Sequence, residues 1–162
     1  MNCPRWLTLA LFLSAACDSG GKSTSGAPLP ILTADGTASV AGKPVVLAYG
    51  ASKVFASGTV QVAMSDVEMN CTTFDVTRPP DHGTFVSVEV PNADKGVASK
   101  NFVNFSVFAN GDYAGVAGGS NTGTVEVLDA SDTAITLRVA YRDTIENDEV
   151  ALNGDYGVTR CP

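Results

Sequence analysis

From Ile31 to the C-terminus, apolar and polar residues alternate in short runs broken by Gly, Asn and Asp. A period of two sends successive side chains to opposite faces of an extended chain, so it predicts strands laid against one core. Thr37-Ala38-Ser39-Val40 and Val45-Val46-Leu47-Ala48-Tyr49 flank Ala41-Gly42-Lys43-Pro44 and predict a first hairpin. Thr59 to Met64 turns Val60, Val62 and Met64 to one side. Ser65-Asp66-Val67-Glu68 has the spacing of a capping box, which predicts a single helical turn leading into Cys71. Thr84 to Val90 directs Val86, Val88 and Val90 inward. Asn101 to Ala109 carries Val103, Phe105 and Val107 on one face and Phe102 and Phe108 on the other, so both faces are expected to be covered.

Gly123 to Leu128 and Ala134 to Tyr141 predict a second hairpin across Asp129-Ala130-Ser131-Asp132. In its second strand Ile135, Leu137, Val139 and Tyr141 share a face opposite Thr136, Arg138 and Arg142. Asp155 to Arg160 places Tyr156 and Val158 inward just before Cys161. These runs predict an all-β domain, a single antiparallel β-sandwich or small β-barrel of about eight strands. Asn110-Gly111-Asp112-Tyr113 recurs as Asn153-Gly154-Asp155-Tyr156 and reads as two similar tight turns. Gly115 to Gly123, GVAGGSNTG, reads as a mobile loop between strands; a dinucleotide site would need it between a strand and a helix.

The first 30 residues follow a different pattern. Arg5 precedes an apolar run from Trp6 to Ala16, too short to span a bilayer core but suited to the hydrophobic part of a signal peptide. The run ends in Leu13-Ser14-Ala15-Ala16-Cys17. This leader resembles the signal peptide and lipobox of bacterial lipoproteins, although Leu13 stands four residues before the cysteine rather than three. The resemblance implies cleavage before Cys17, a diacylglyceryl group on its thiol, and a membrane partner reached through that lipid. Asp18 resembles the inner-membrane retention signal of enteric lipoproteins, a rule other bacterial groups do not follow, so the choice of membrane stays open. The organisation expected is a leader over 1–16, a lipidated cysteine and Ser/Gly/Pro tether over 17–30, and a β domain over 31–162. Asp18 to Pro30 would reach roughly 20 Å as a coil and roughly 45 Å when stretched.

Charge narrows the partners. Losing Arg5 with the leader leaves nine Lys and Arg against 17 Asp and Glu. That balance argues against nucleic acid and anionic surfaces, and leaves a cationic protein as one candidate partner. Of four cysteines, the lipoprotein resemblance would remove Cys3 with the leader and lipidate Cys17, leaving Cys71 and Cys161. An even pair in an oxidising compartment predicts a disulfide.

Catalytic chemistry finds few residues to work with. His82, in Arg78-Pro79-Pro80-Asp81-His82-Gly83, is the single histidine, and no Gly-x-Ser-x-Gly elbow is present. Zinc and copper sites usually need two or more His or Cys ligands. Gly21-Lys22-Ser23 echoes a phosphate-binding loop without the strand and helix that loop requires. Asp143, Glu146, Asp148 and Glu149 crowd into seven residues and are weak Ca²⁺ candidates, without EF-hand spacing. As a pair for glycoside hydrolysis those carboxylates lack an aromatic platform, while a Ca²⁺-dependent adhesion or carbohydrate module using Asp143 to Glu149 stays an alternative. The expectation is a non-catalytic binding or structural domain without a cofactor.

Overall fold

The computed structural model describes residues 26–72 and 81–162. The leader, Cys17, most of the tether, and Arg78-Pro79-Pro80 lie outside the described residues. Among the described residues there is no helix. The strands are β1 (Thr33–Val40), β2 (Lys43–Val45), β3 (Tyr49–Val54), β4 (Val60–Ser65), β5 (Gly83–Val90) and β6 (Gly96–Val97). They continue as β7 (Phe102–Ala109), β8 (Asp112–Ser120), β9 (Thr124–Ala130), β10 (Ala134–Ile145) and β11 (Asp148–Arg160).

All eleven join one curled, open sheet in the order β6-β9-β10-β11-β3-β4-β5-β7-β8, with β1 pairing both β11 and β2. Every pairing is antiparallel except β11 with β3, which is parallel over Thr159↔Ala51 and Arg160↔Ser52. That junction is thin, two residue pairs, as few as join β6 to β9. β10 and β11, by contrast, are paired along twelve positions from Ala134↔Thr159 to Ile145↔Asp148. The curl brings the inward rows of β4, β5 and β7 and those of β9, β10 and β11 into one apolar cluster. Val62, Val86, Val88, Val103, Phe105, Leu137, Leu152 and Val158 are all fully buried in it. Each fully buried side chain of this size contributes about 1.5–3 kcal/mol by leaving water, so the period-two pattern dominates local preference. Phe105 and Tyr141 stack near the middle of the curl, ring centroids 6.0 Å apart and planes 14° apart.

On the other face of the sheet, Ala51, Ala63, Phe85 and Phe108 join Met69 and Cys161 in a second, smaller cluster, with Leu29, Tyr49 and Cys71 packed against it. Cys71 and Cys161 are joined by a disulfide, their Cα atoms 5.4 Å apart. Phe108 is therefore covered as expected, while Phe102, at the other end of the same face, remains 42% exposed.

Four local expectations are corrected. Ser65 starts no helical turn: its hydroxyl accepts from the Val67 N–H at 3.0 Å and donates to the Thr84 carbonyl at 2.9 Å. Asp66 completes the arrangement by accepting the Thr84 N–H at 2.8 Å, so these side chains bond backbone that a helix would need elsewhere. Gly115 to Gly123 is not a loop; all but its last three residues belong to β8. There Val116 is buried, and the ladder with β7 is offset between Ser106 and Phe108. That irregularity bends a long edge strand away from regular pairing with other chains. The Asn-Gly repeat is not two turns. Asn110 and Gly111 both have positive φ and form the two-residue β7–β8 turn, whereas Asn153-Gly154 lies inside β11. Gly154 instead permits close approach, since a Cβ there would sit 2.3 Å from the Gly36 Cα on β1. Lastly, the first hairpin is shorter than expected: β2 ends at Val45 and a new strand starts at Tyr49.

Candidate functional site

The β5–β7 connection frames an open surface groove. Pro91 ends β5 because it has no N–H for the ladder. Asn92 then accepts the Asp94 N–H at 3.2 Å in a local turn, and Lys95 pairs with Asp129 at 2.6 Å. Gly96 and Val97 cross to pair with Val127 and Glu126 of β9, and the Ala98 N–H continues to the Val125 carbonyl at 2.8 Å. The chain then returns through Ser99 and Lys100, and the Asn101 amide donates to the Gly123 carbonyl at 3.0 Å. This strap and the β8–β9 turn enclose an open groove of about 630 Å³ beside Lys100, Asn101, Phe102, Asn121 and Thr124. A shallower depression of about 200 Å³ lies across Phe102, against Glu89 and Thr59.

A second polar arrangement sits where β8 approaches β10. Ser120 Oγ lies 2.8 Å from Thr122 Oγ1 and 3.3 Å from Tyr141 Oη, and Tyr141 donates to Asp143 at 3.4 Å. The Thr144 N–H also donates to Asp143, at 2.7 Å. The Ser120 hydroxyl first, then the Thr144 N–H, holds the Asp143 carboxyl below its ordinary value. Burial pushes the Tyr141 phenol up. Through these bonds the group acts as a latch between β8 and β10.

The latch has a pH signature. Asp143 binds its proton less readily in the folded protein than in the unfolded chain. Its contribution is therefore present above the unfolded carboxylate range and is lost as pH falls through the lowered folded value. Urea unfolding of Ser120→Ala is expected to show a stability deficit at pH 7 that shrinks below about pH 4. A deficit unchanged between pH 7 and pH 3 would count against the latch. At the alkaline end the sign reverses, because burial pushes Tyr156 up to about 12. The folded state then holds the proton longer, and stability falls as pH rises from about 10 toward that value.

The four acidic candidates are arranged by the β10–β11 hairpin. Glu146 and Asn147 both have positive φ and make a two-residue turn. Alternation puts Asp143 and Asp148 on one face and Glu149 on the other, where Arg142 lies 4.0 Å from it. Among the described residues no group of three or more His, Cys, Asp or Glu comes together as a metal site. His82 is exposed, beside Asp81, whose carbonyl accepts the Gly111 N–H at 2.8 Å. Arg138 forks onto Asp155 at 2.8 and 2.9 Å on the solvent face, an exposed pair of small energetic weight.

The groove and the latch escaped the sequence reading as assemblies, although Asp143 is among its Ca²⁺ candidates. Phe102 carried the usable signal, an aromatic on the face opposite Val103 and Phe105; its exposure depends on what covers that face. Ser120 and Asp143 meet only through the curl. In comparison with known proteins, no family model, curated protein or solved structure matches the chain.

Proposed function

We propose that this chain is a lipid-anchored cell-envelope protein whose β domain is a non-catalytic binding module held off the membrane by the Ser/Gly/Pro tether. The observation that carries this reading is the Cys71–Cys161 disulfide, in a domain following a leader with the features of a lipobox. Disulfides persist in oxidising compartments, and the lipobox resemblance supplies the same address independently. The binding role rests on the groove, which is open and polar. In architecture we read the curled sheet as sandwich-like, its two halves facing each other across one core.

Cys17 is the residue to test. Cells supplied with radiolabelled palmitate are expected to label the parent protein and leave Cys17→Ser unlabelled, with the Cys17→Ser product recovered as a longer, uncleaved precursor. An unlabelled parent chain would overturn the reading.

A further inference from the structure

We infer that the end of the domain where the tether enters rests on the lipid surface that holds Cys17, through a patch centred on Leu32 and Val46; this rests on reading Cys17 as lipidated. The tether is shorter than its composition suggests, because the fold takes up its last residues. The Leu29 N–H donates to the Met69 carbonyl at 2.9 Å, and the Gly50 N–H donates to the Leu29 carbonyl at 2.9 Å. Pro30 bridges to Tyr49, and the Asn70 amide donates to the Gly26 carbonyl at 3.5 Å. Only Asp18 to Ser25 then separates Cys17 from the fold, and the chain from Cys17 to Gly26 spans at most roughly 32 Å. That is about the diameter of a small domain. The tether therefore sets the body of the domain off the membrane while keeping its own point of entry close to it.

That end is also the part of the chain fitted to meet lipid. Ile31 and Leu47 turn into the main apolar cluster, so the residues alternating with them, Leu32 and Val46, turn outward. They are 56% and 79% exposed, and Val46 is the most exposed large apolar side chain among the described residues. The Ile31 N–H donates to the Ala48 carbonyl at 3.0 Å, which joins the two segments. Exposed Ala34, Pro44 and Ala48 add apolar surface along them. Charge favours the same end. Residues 26–49 carry only Asp35 and Lys43, which cancel, although the whole chain holds 17 Asp and Glu. Asp155, opposite Asp35, is already engaged by Arg138. An acidic protein approaches a lipid surface most easily where it is locally neutral. Two apolar side chains bind a bilayer weakly by themselves, but the anchor makes the encounter intramolecular and raises its effective concentration.

The test is tryptophan fluorescence of the lipidated chain, its mass confirmed, reconstituted in phosphatidylcholine vesicles. Trp6, the one tryptophan in the sequence, leaves with the leader, so Val46→Trp reports from that position alone. Phosphatidylcholine brominated on its acyl chains is expected to quench this emission about twofold or more, because interfacial side chains sit roughly 5–10 Å into the headgroup–acyl boundary. Val97→Trp is the control and should keep the emission of a solvated side chain. Val97 is 68% exposed but lies on β6, with β9, β10 and β11 between it and β1. Adding Leu32→Asp to Val46→Trp should bring quenching down to the level of the control. All three positions are exposed enough that the fold survives, which circular dichroism will show. Quenching of Val46→Trp no greater than that of Val97→Trp would overturn the inference. So would a blue-shifted emission that bromine does not quench, since a second copy or another protein would then cover the patch. Either result, obtained on a chain whose Cys17 lipid is confirmed by mass, leaves the anchor reading standing; a chain without that lipid would overturn both.

Discussion

Removing the disulfide by Cys71→Ala with Cys161→Ala is expected to lower the unfolding free energy by roughly 4–5 kcal/mol in the chain-entropy picture. The cross-link spans 90 residues, long enough for loop closure to be near the top of its usual range. A domain of this kind has about 5–15 kcal/mol in total, so the change should move a urea midpoint by about 2 M. The location sharpens the expectation. Cys161 follows β11 by one residue, and its N–H donates to the Ser52 carbonyl at 2.7 Å, beside the two parallel pairs that hold β11 to β3. The disulfide clamps that thin junction to Cys71, beyond the end of β4. Amide exchange at Arg160 and Cys161 should accelerate before exchange in the β10–β11 ladder does. A loss below about 1 kcal/mol, or uniform acceleration across the sheet, would contradict this account.

Tyr141→Ala is expected to cost about 3–5 kcal/mol, and Tyr141→Phe about 1 kcal/mol. The ring is 1% exposed and stacked on Phe105, so its removal leaves a hole between the two halves of the curl. The hydroxyl does separate work by linking Ser120 on β8 to Asp143 on β10. Burial, the larger effect, should appear in the alanine variant alone, with an unchanged denaturant slope. The phenylalanine variant should instead raise the pH at which Asp143 takes its proton, because one hydroxyl donor to the carboxylate is gone. Equal losses in the two variants would show that the ring is not a packing element.

Most of the inward rows were legible because burial enforces period two: Val60, Val62 and Met64, or Ile135, Leu137 and Val139, have no other way to leave water. The disulfide was legible by counting thiols. What the pattern hid was decided by long-range contact. Gly115, Gly118 and Gly119 read as loop residues in a one-dimensional scan, yet β8 holds them in a strand, where Val116 supplies the buried side chain. Asn153-Gly154 looks like a turn, but its neighbour Gly36 is more than a hundred residues earlier in the chain. The groove is assembled from a strap and a turn that meet through one amide, Asn101 to Gly123. Short-range spacing carries no trace of such a meeting.

The most direct measurement is the intact mass of the protein extracted from the membrane, taken with and without reductant. The account predicts a chain beginning at Cys17 with diacylglyceryl mass added, which gains about 2 Da on reduction of the Cys71–Cys161 bond. A soluble, unmodified chain that retains Cys17 as a thiol, or one unchanged by reductant, would contradict it.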